Sequence, residues 1–229
     1  MPVYLLSEAL TFPPPRLASQ EGLLAVGGDL SPERLLAAYG QGIFPWFSEG
    51  EPILWWSPDP RLVLFPHEFK ISKSLKKIIR QSFFEITVDQ AFQKVITECA
   101  EIRVKQKEPT WIVGDMIDAY CRLHESGFAH SVEAWQGGVL AGGLYGVSLG
   151  KCFFGESMFA RASNASKIAL AWLVDFLRSH AFHLIDCQVT TTHLVSLGAR
   201  EIPRDRFLKL LQTALKEPTI KGKWQYLDG

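Results

Sequence analysis

Three strand-like runs follow one another between Ala129 and Ser157, and they constrain the fold more than any other feature of the chain. AHSVEAW and VLAGGLYGVSL flank Gln136-Gly137-Gly138, and two adjacent glycines suit a tight hairpin turn that needs positive φ. KCFFGES reads as a third strand directly afterwards. A chain that lays down three neighbouring strands in this way commits itself to an antiparallel sheet, whose apolar face the remaining segments must cover.

Regular patterning begins at Arg61. LVLF reads as a strand, ISKSLKKIIRQ as a helix, and FEITVD as a strand ending on Asp89, which is expected to cap the helix QAFQKVITECAE. A further helix spans about Gly114 to Ser126 and stops at Gly127. After the trio come a helix over 165–180, a strand over 183–189 and a final helix near 203–216. The first 60 residues differ, with turn signals in PPP, GGDLSP, GIFPWF and WWSPDP. Within them Ser31 is placed to cap a short helix, with Pro32 at its first position and Gly40 at its end. The expected fold class is α+β, with a small N-terminal domain over 1–60 followed by a catalytic domain over 61–229 with a mixed, mostly antiparallel sheet. The element order resembles that of the GNAT-type acyltransferases.

Net charge is zero, so a polyanion would have to be held by a local basic patch. One candidate is the helix from about residue 70, where Lys70, Lys73, Lys76, Lys77 and Arg80 share an arc of about 120° with no acidic residue between them. Such a stripe is either a solvated face or a seat for phosphates. Trp46, Trp55 and Trp56 sit on turn-rich backbone, and Trp111 follows the charged run RVKQKEPT and precedes a helix. These tryptophans either seal a contact between domains or stack unpaired bases. Cys99, Cys121, Cys152 and Cys187 show no metal-ligand spacing and read as buried thiols in a reducing compartment. The N-terminal stretch lacks the features of a signal peptide, and no apolar run reaches the roughly 18–20 residues a membrane span requires, so a cytoplasmic protein is expected.

Two apolar runs carry polar interruptions. In HLIDCQVT, residues two apart in a strand share a face, so Asp186 and Gln188 are expected to point the same way, into a cavity or a buried polar network. A carboxylate tied to backbone amides is the purely structural alternative for Asp186. In CFFGESMF, Glu156 stands beside Gly155, which permits close approach of a ligand or of backbone. Two carboxylates and an amide would suit a cationic nucleophile such as an amine.

GGDLSPERLLAAYGQGIFPWF, ILWWSPDPR, FGESMFARASNASK and LIDCQVTTTHLVSLGAREIPR closely resemble the leucyl/phenylalanyl-tRNA–protein transferase family. The resemblance implies a bacterial enzyme that moves Leu or Phe (Met less well) from aminoacyl-tRNA to proteins bearing an N-terminal Arg or Lys, marking them for N-end rule degradation. It implies no cofactor and no metal. By the same resemblance Asp186 and Gln188 are the catalytic pair, and Glu156 with Asp186 contacts the acceptor. Leu144, Phe153, Gly155, Met158, Leu170 and Leu173 form the aminoacyl pocket, and Trp46 and Trp111 hold the terminal adenosine. The basic residues from Lys70 to Arg80 meet tRNA phosphates. Within this reading Gln188 accepts a hydrogen bond from the neutral amine, and Asp186 holds the Gln188 amide in one orientation. Among rival readings, a coenzyme A-dependent acetyltransferase is disfavoured because ARASNASK has no glycine. A peptidoglycan transferase would need a doubled domain. A bare RNA-binding module leaves Glu156, Asp186 and Gln188 without a role.

Overall fold

The computed structural model describes residues 3–105 and 110–224. The elements in chain order are β1 (Tyr4–Leu6), β2 (Leu23–Gly27), α1 (Pro32–Tyr39), β3 (Phe44–Pro45), β4 (Leu54–Trp56), β5 (Arg61–Leu64), α2 (Lys73–Arg80), β6 (Glu85–Val88), α3 (Phe92–Lys105) and α4 (Gly114–Glu125). There follow β7 (Ala129–Gln136), β8 (Val139–Leu149), β9 (Cys152–Ala160), α5 (Ala165–Ser179), β10 (Leu184–Gln188), α6 (Thr192–Ser196), β11 (Arg200–Ile202) and α7 (Arg204–Ala214).

The β7–β8 hairpin forms as the glycines require: Gln136 pairs with Val139, and Gly137 and Gly138 both take positive φ, 58° and 75°. β9 joins antiparallel to β8, which completes the trio. The larger sheet runs β11-β5-β10-β9-β8-β7-β6. Among the described residues its pairs are antiparallel except β9 with β10, which α5 connects as a crossover. α5 can cover the sheet because Ile168, Ala169, Leu170, Leu173, Val174 and Leu177 are all buried. The mixed α+β class read from the sequence is therefore the one observed.

A smaller sheet, β1-β2-β4-β3, is built from the N-terminal segment. α1 starts as its residues dictate: Pro32 occupies the first turn and the Ser31 hydroxyl accepts the Arg34 N–H at 3.3 Å. One apolar cluster contains Leu24, Leu35, Tyr39 and Trp55 together with Tyr120, Phe154 and Phe207, so the two sheets share a core. Trp55 is fully buried and its indole N–H donates to the Gly27 carbonyl at 2.8 Å. It is a core residue, although its turn-rich surroundings argued against that.

Three local expectations are corrected. α2 begins at Lys73, capped by Ser72, whose hydroxyl accepts the Leu75 N–H at 3.1 Å. Lys70 therefore lies before the helix, where its N–H donates to the Leu197 carbonyl. Asp89 does not cap α3; its carboxylate accepts from the Ser131 N–H, the Trp224 N–H and the His130 ring. That arrangement ties the segment after α7 to β7. Of the four cysteines, Cys121 is only half-buried.

The β8–β9 ladder contains the feature that makes the site. Tyr145 pairs with Ser157, but the next residue, Gly146, pairs with Gly155, so Glu156 is the extra residue of a bulge. An apolar strand can carry a carboxylate at its middle because the bulge lets Glu156 leave the strict alternation. Gly146 permits this by lacking a side chain. A Cβ there would collide with the Phe154 carbonyl and lie 2.6 Å from the Phe153 ring.

Candidate active site

The β9–β10 ladder runs from Leu184–Cys152 to Asp186–Phe154 and ends there. At that end lies a cavity of about 560 Å³. β9 supplies Phe153, Gly155 and Met158 to its wall, β8 supplies Leu144, and α5 supplies Leu170 and Leu173. All six residues expected in an apolar pocket thus line one space. Ile185 and Cys187 of β10 join them, as does Tyr145, and Trp46 and Trp111 reach the same cavity from loops. Glu156 and Gln188 are its embedded polar groups, 8% and 7% exposed.

Asp186 does not share this space. It is fully buried, and both its oxygens are taken by Arg61, at 2.8 Å from Nε and 2.7 Å from Nη2. Arg61 is itself buried, with its guanidinium over the rings of Phe44 and Phe207 at 4.8 and 4.6 Å. A two-residue period would place Gln188 beside Asp186. Gln188 instead takes a left-handed φ of 61°, at a shift in the β5–β10 register, and this turns its side chain into the cavity. Asp186 holds that turn by accepting the Gln188 backbone N–H at 3.0 Å. The expectation that Asp186 orients the Gln188 amide is therefore corrected: the Gln188 amide N–H donates to Glu156 Oε1 at 2.8 Å.

Glu156 is the centre of the polar cluster. Tyr39 of α1 donates to Oε1 at 2.7 Å, Tyr120 of α4 donates to Oε2 at 3.2 Å, and the two phenol oxygens also touch each other. Burial pushes the Glu156 carboxyl up to about 7, although the hydrogen bonds from Tyr39, Tyr120 and Gln188 oppose the shift. Burial likewise raises both phenols well above their usual value, so they stay protonated as donors.

The chain's relatives point to one family. The family model for leucyl/phenylalanyl-tRNA protein transferase matches residues 63–212, and that for the N-terminal domain of the same transferase matches residues 28–59. The chain belongs to the leucyl/phenylalanyl-tRNA–protein transferase family. Curated relatives bearing that name include proteins of Desulfatibacillum aliphaticivorans, 64% identical over 98% of this chain and 96% of the relative, and Syntrophobacter fumaroxidans, 60% identical over 98% and 96%. A third, from Myxococcus xanthus, is 56% identical over 98% and 97%. A solved aminoglycoside acetyltransferase aligns at 11% identity and a TM-score of 0.40, covering 64% of this chain and 98% of its own.

In this transferase-family chain, the residues that spacing alone did not reveal are Arg61, Tyr39 and Tyr120. The available signal was an arginine opening the apolar run RLVLF and a tyrosine ending α1. α6 was also not anticipated, and its His193 and Leu194 line the cavity. Trp46 is 41% exposed and sits 6.0 Å from the Trp56 ring. Trp111 is half-buried; residues 106–109 of the charged run before it lie outside the described residues. On α2, Lys73, Lys76, Lys77 and Arg80 are all exposed while Leu75 is buried. Among the described residues no helix is long and apolar enough to cross a membrane.

Proposed function

We propose that the protein transfers Leu or Phe, and Met less well, from aminoacyl-tRNA to the N-terminal Arg or Lys of proteins in the cytoplasm. The product would be a degradation signal of the N-end rule. The observation that carries this reading is the cavity, whose apolar wall ends on one amide and one carboxyl. A Leu or Phe side chain would occupy the part lined by Leu144, Met158, Leu170 and Leu173, which places its ester carbonyl toward Gln188. Because Gln188 spends its N–H on Glu156, its carbonyl oxygen is the end left to accept from the attacking amine. Holding amine and ester in line in this way lowers the barrier by positioning. Trp46 and Trp111, on the same cavity, would stack the terminal adenosine. With both oxygens of Asp186 on Arg61, Glu156 is the carboxyl left to meet a cationic acceptor. The division near residue 60, into an N-terminal domain and a GNAT-like catalytic domain, is part of the proposal; the bounds of the two family models, 28–59 and 63–212, support it.

Labelled Leu supplied as Leu-tRNA should appear on a protein with N-terminal Arg and not on the same protein with N-terminal Glu. Equal labelling of the two, or of neither, would refute the assignment.

The exposed face of α2, with Lys70 beside it, would meet tRNA phosphates. Lys73→Ala should weaken binding of all tRNAs alike and reduce the salt slope by about one unit. An unchanged affinity and slope would make the stripe a solvated face.

A further inference from the structure

Proton counting in the Glu156 cluster leads beyond substrate binding. Three oxygen contacts close a ring: Tyr39 with Tyr120, Tyr39 with Glu156, and Tyr120 with Glu156. Each contact needs one hydrogen to be a bond rather than a repulsion. The two phenols supply one hydrogen each. When Glu156 is ionised, both are drawn to the carboxylate, and the phenol–phenol contact is left without one. A single added proton completes the ring, since Glu156 Oε2 can then donate to Tyr120, Tyr120 to Tyr39, and Tyr39 to Oε1. The cluster has a built vacancy for one proton, and its carboxyl member, Glu156, lines the reaction cavity with the two phenols buried behind it.

We propose that the Tyr39–Tyr120–Glu156 ring is the proton acceptor of the transfer reaction. This rests on the transferase reading above. The neutral α-amine attacks the ester carbonyl, its C–N bond forms, and the proton the nitrogen sheds goes to the Glu156 carboxylate, directly or through one water. The C–O bond to the tRNA ribose then breaks. The departing oxygen takes up one proton, which the ring passes on, so the carboxylate is restored and the balance closes. Gln188 orients the amine, while Tyr39 and Tyr120 act through Glu156 as positioning residues.

The surroundings suit a group that must gain and lose a proton near neutrality. Facing the cluster are Tyr145 from β8 and Asp186 from β10 with its partner Arg61 from β5, while Cys99 and Arg103 from α3 act on Tyr145. Burial raises the Cys99 thiol to about 12 and the Tyr145 phenol well above its usual value, so neither competes for the proton. Burial disfavours an ionised Glu156, and repulsion by Asp186 adds to it in the same direction. A base of this kind is matched to an α-amino group whose ordinary value is about 7.7–8.0.

Single-turnover transfer of Leu from Leu-tRNA to a peptide with N-terminal Arg, followed against pH, tests this. In the wild type two deprotonations must precede reaction, so the logarithm of the rate should climb with a slope near two below pH ~7 and near one from there to about 8. Above that the amine is neutral and the rate should level off. Glu156→Gln should retain only the slope of one and lose about 10²–10⁴ in rate. Tyr39→Phe removes a hydrogen bond that favours the carboxylate, so it should move the lower inflection to higher pH. An infrared carboxyl band of the substrate-free enzyme should titrate near neutrality and vanish in Glu156→Gln. Rates within threefold of wild type in Glu156→Gln, an unmoved inflection in Tyr39→Phe, or no titrating band would overturn the ring as acceptor. Failure of the wild type to transfer Leu at any pH would instead overturn the underlying functional reading.

Discussion

Arg61→Met should destabilise the fold by about 3–5 kcal/mol, because it leaves Asp186 as an unpaired carboxylate in a fully buried site. The pair is bidentate and dry, so neither water nor a second cation can take over from the guanidinium. Adding Asp186→Leu to Arg61→Met should recover much of the lost stability, because no charge then remains buried. That double variant should still transfer poorly, since the Gln188 N–H has lost the acceptor that holds its left-handed turn. Denaturant unfolding of the two single variants and the double closes the cycle. If Arg61→Met unfolded within 1 kcal/mol of wild type, the ion pair would not be the anchor of this corner.

Gly146→Ala is expected to cost about 3 kcal/mol and to cut transfer by more than tenfold. The reason is space: the added methyl would press on the Phe154 carbonyl, which is backbone, and on the Phe153 ring at 2.6 Å. Relief requires the β8–β9 register to slide, and a one-residue slide turns the bulged Glu156 away from Tyr39 and Tyr120. Gly155→Ala is the control on the facing strand. Its added methyl would meet the Asp186 carbonyl at 3.7 Å, an ordinary contact, so the fold should tolerate it. Thermal unfolding and transfer rates of the two variants side by side decide the matter; equal stability would remove the bulge as the determinant.

The readable parts of this protein are those in which cause and effect lie close together in the chain. Gly137 and Gly138 made the hairpin, and Ser31 with Pro32 began α1, because turn and cap preferences act over three or four residues. The wall of the cavity came by another route: the family resemblance named Leu144, Met158, Leu170 and Leu173, and all four line the cavity once β8, β9 and α5 are folded. The alternation rule failed at Asp186 and Gln188 because it assumes an unbroken strand, and a left-handed residue at 188 breaks it. It would have failed at Glu156 too, where the bulge spends two residues of β9 against one of β8.

Local patterning was enough for the mixed α+β class, for the elements that carry the site and for the polar residues interrupting its apolar strands, whereas the cavity wall was named by the family resemblance. The roles of those polar residues were set by packing between distant segments. Arg61 reaches Asp186 across 125 positions, and Tyr39 reaches Glu156 across 117. A carboxylate's charge depends on which donors stand within about 3 Å and how much water is excluded. Those neighbours are brought together by packing, so Asp186 became a buried anchor and Glu156 a carboxyl poised near neutrality, although both are acidic residues set in apolar strands.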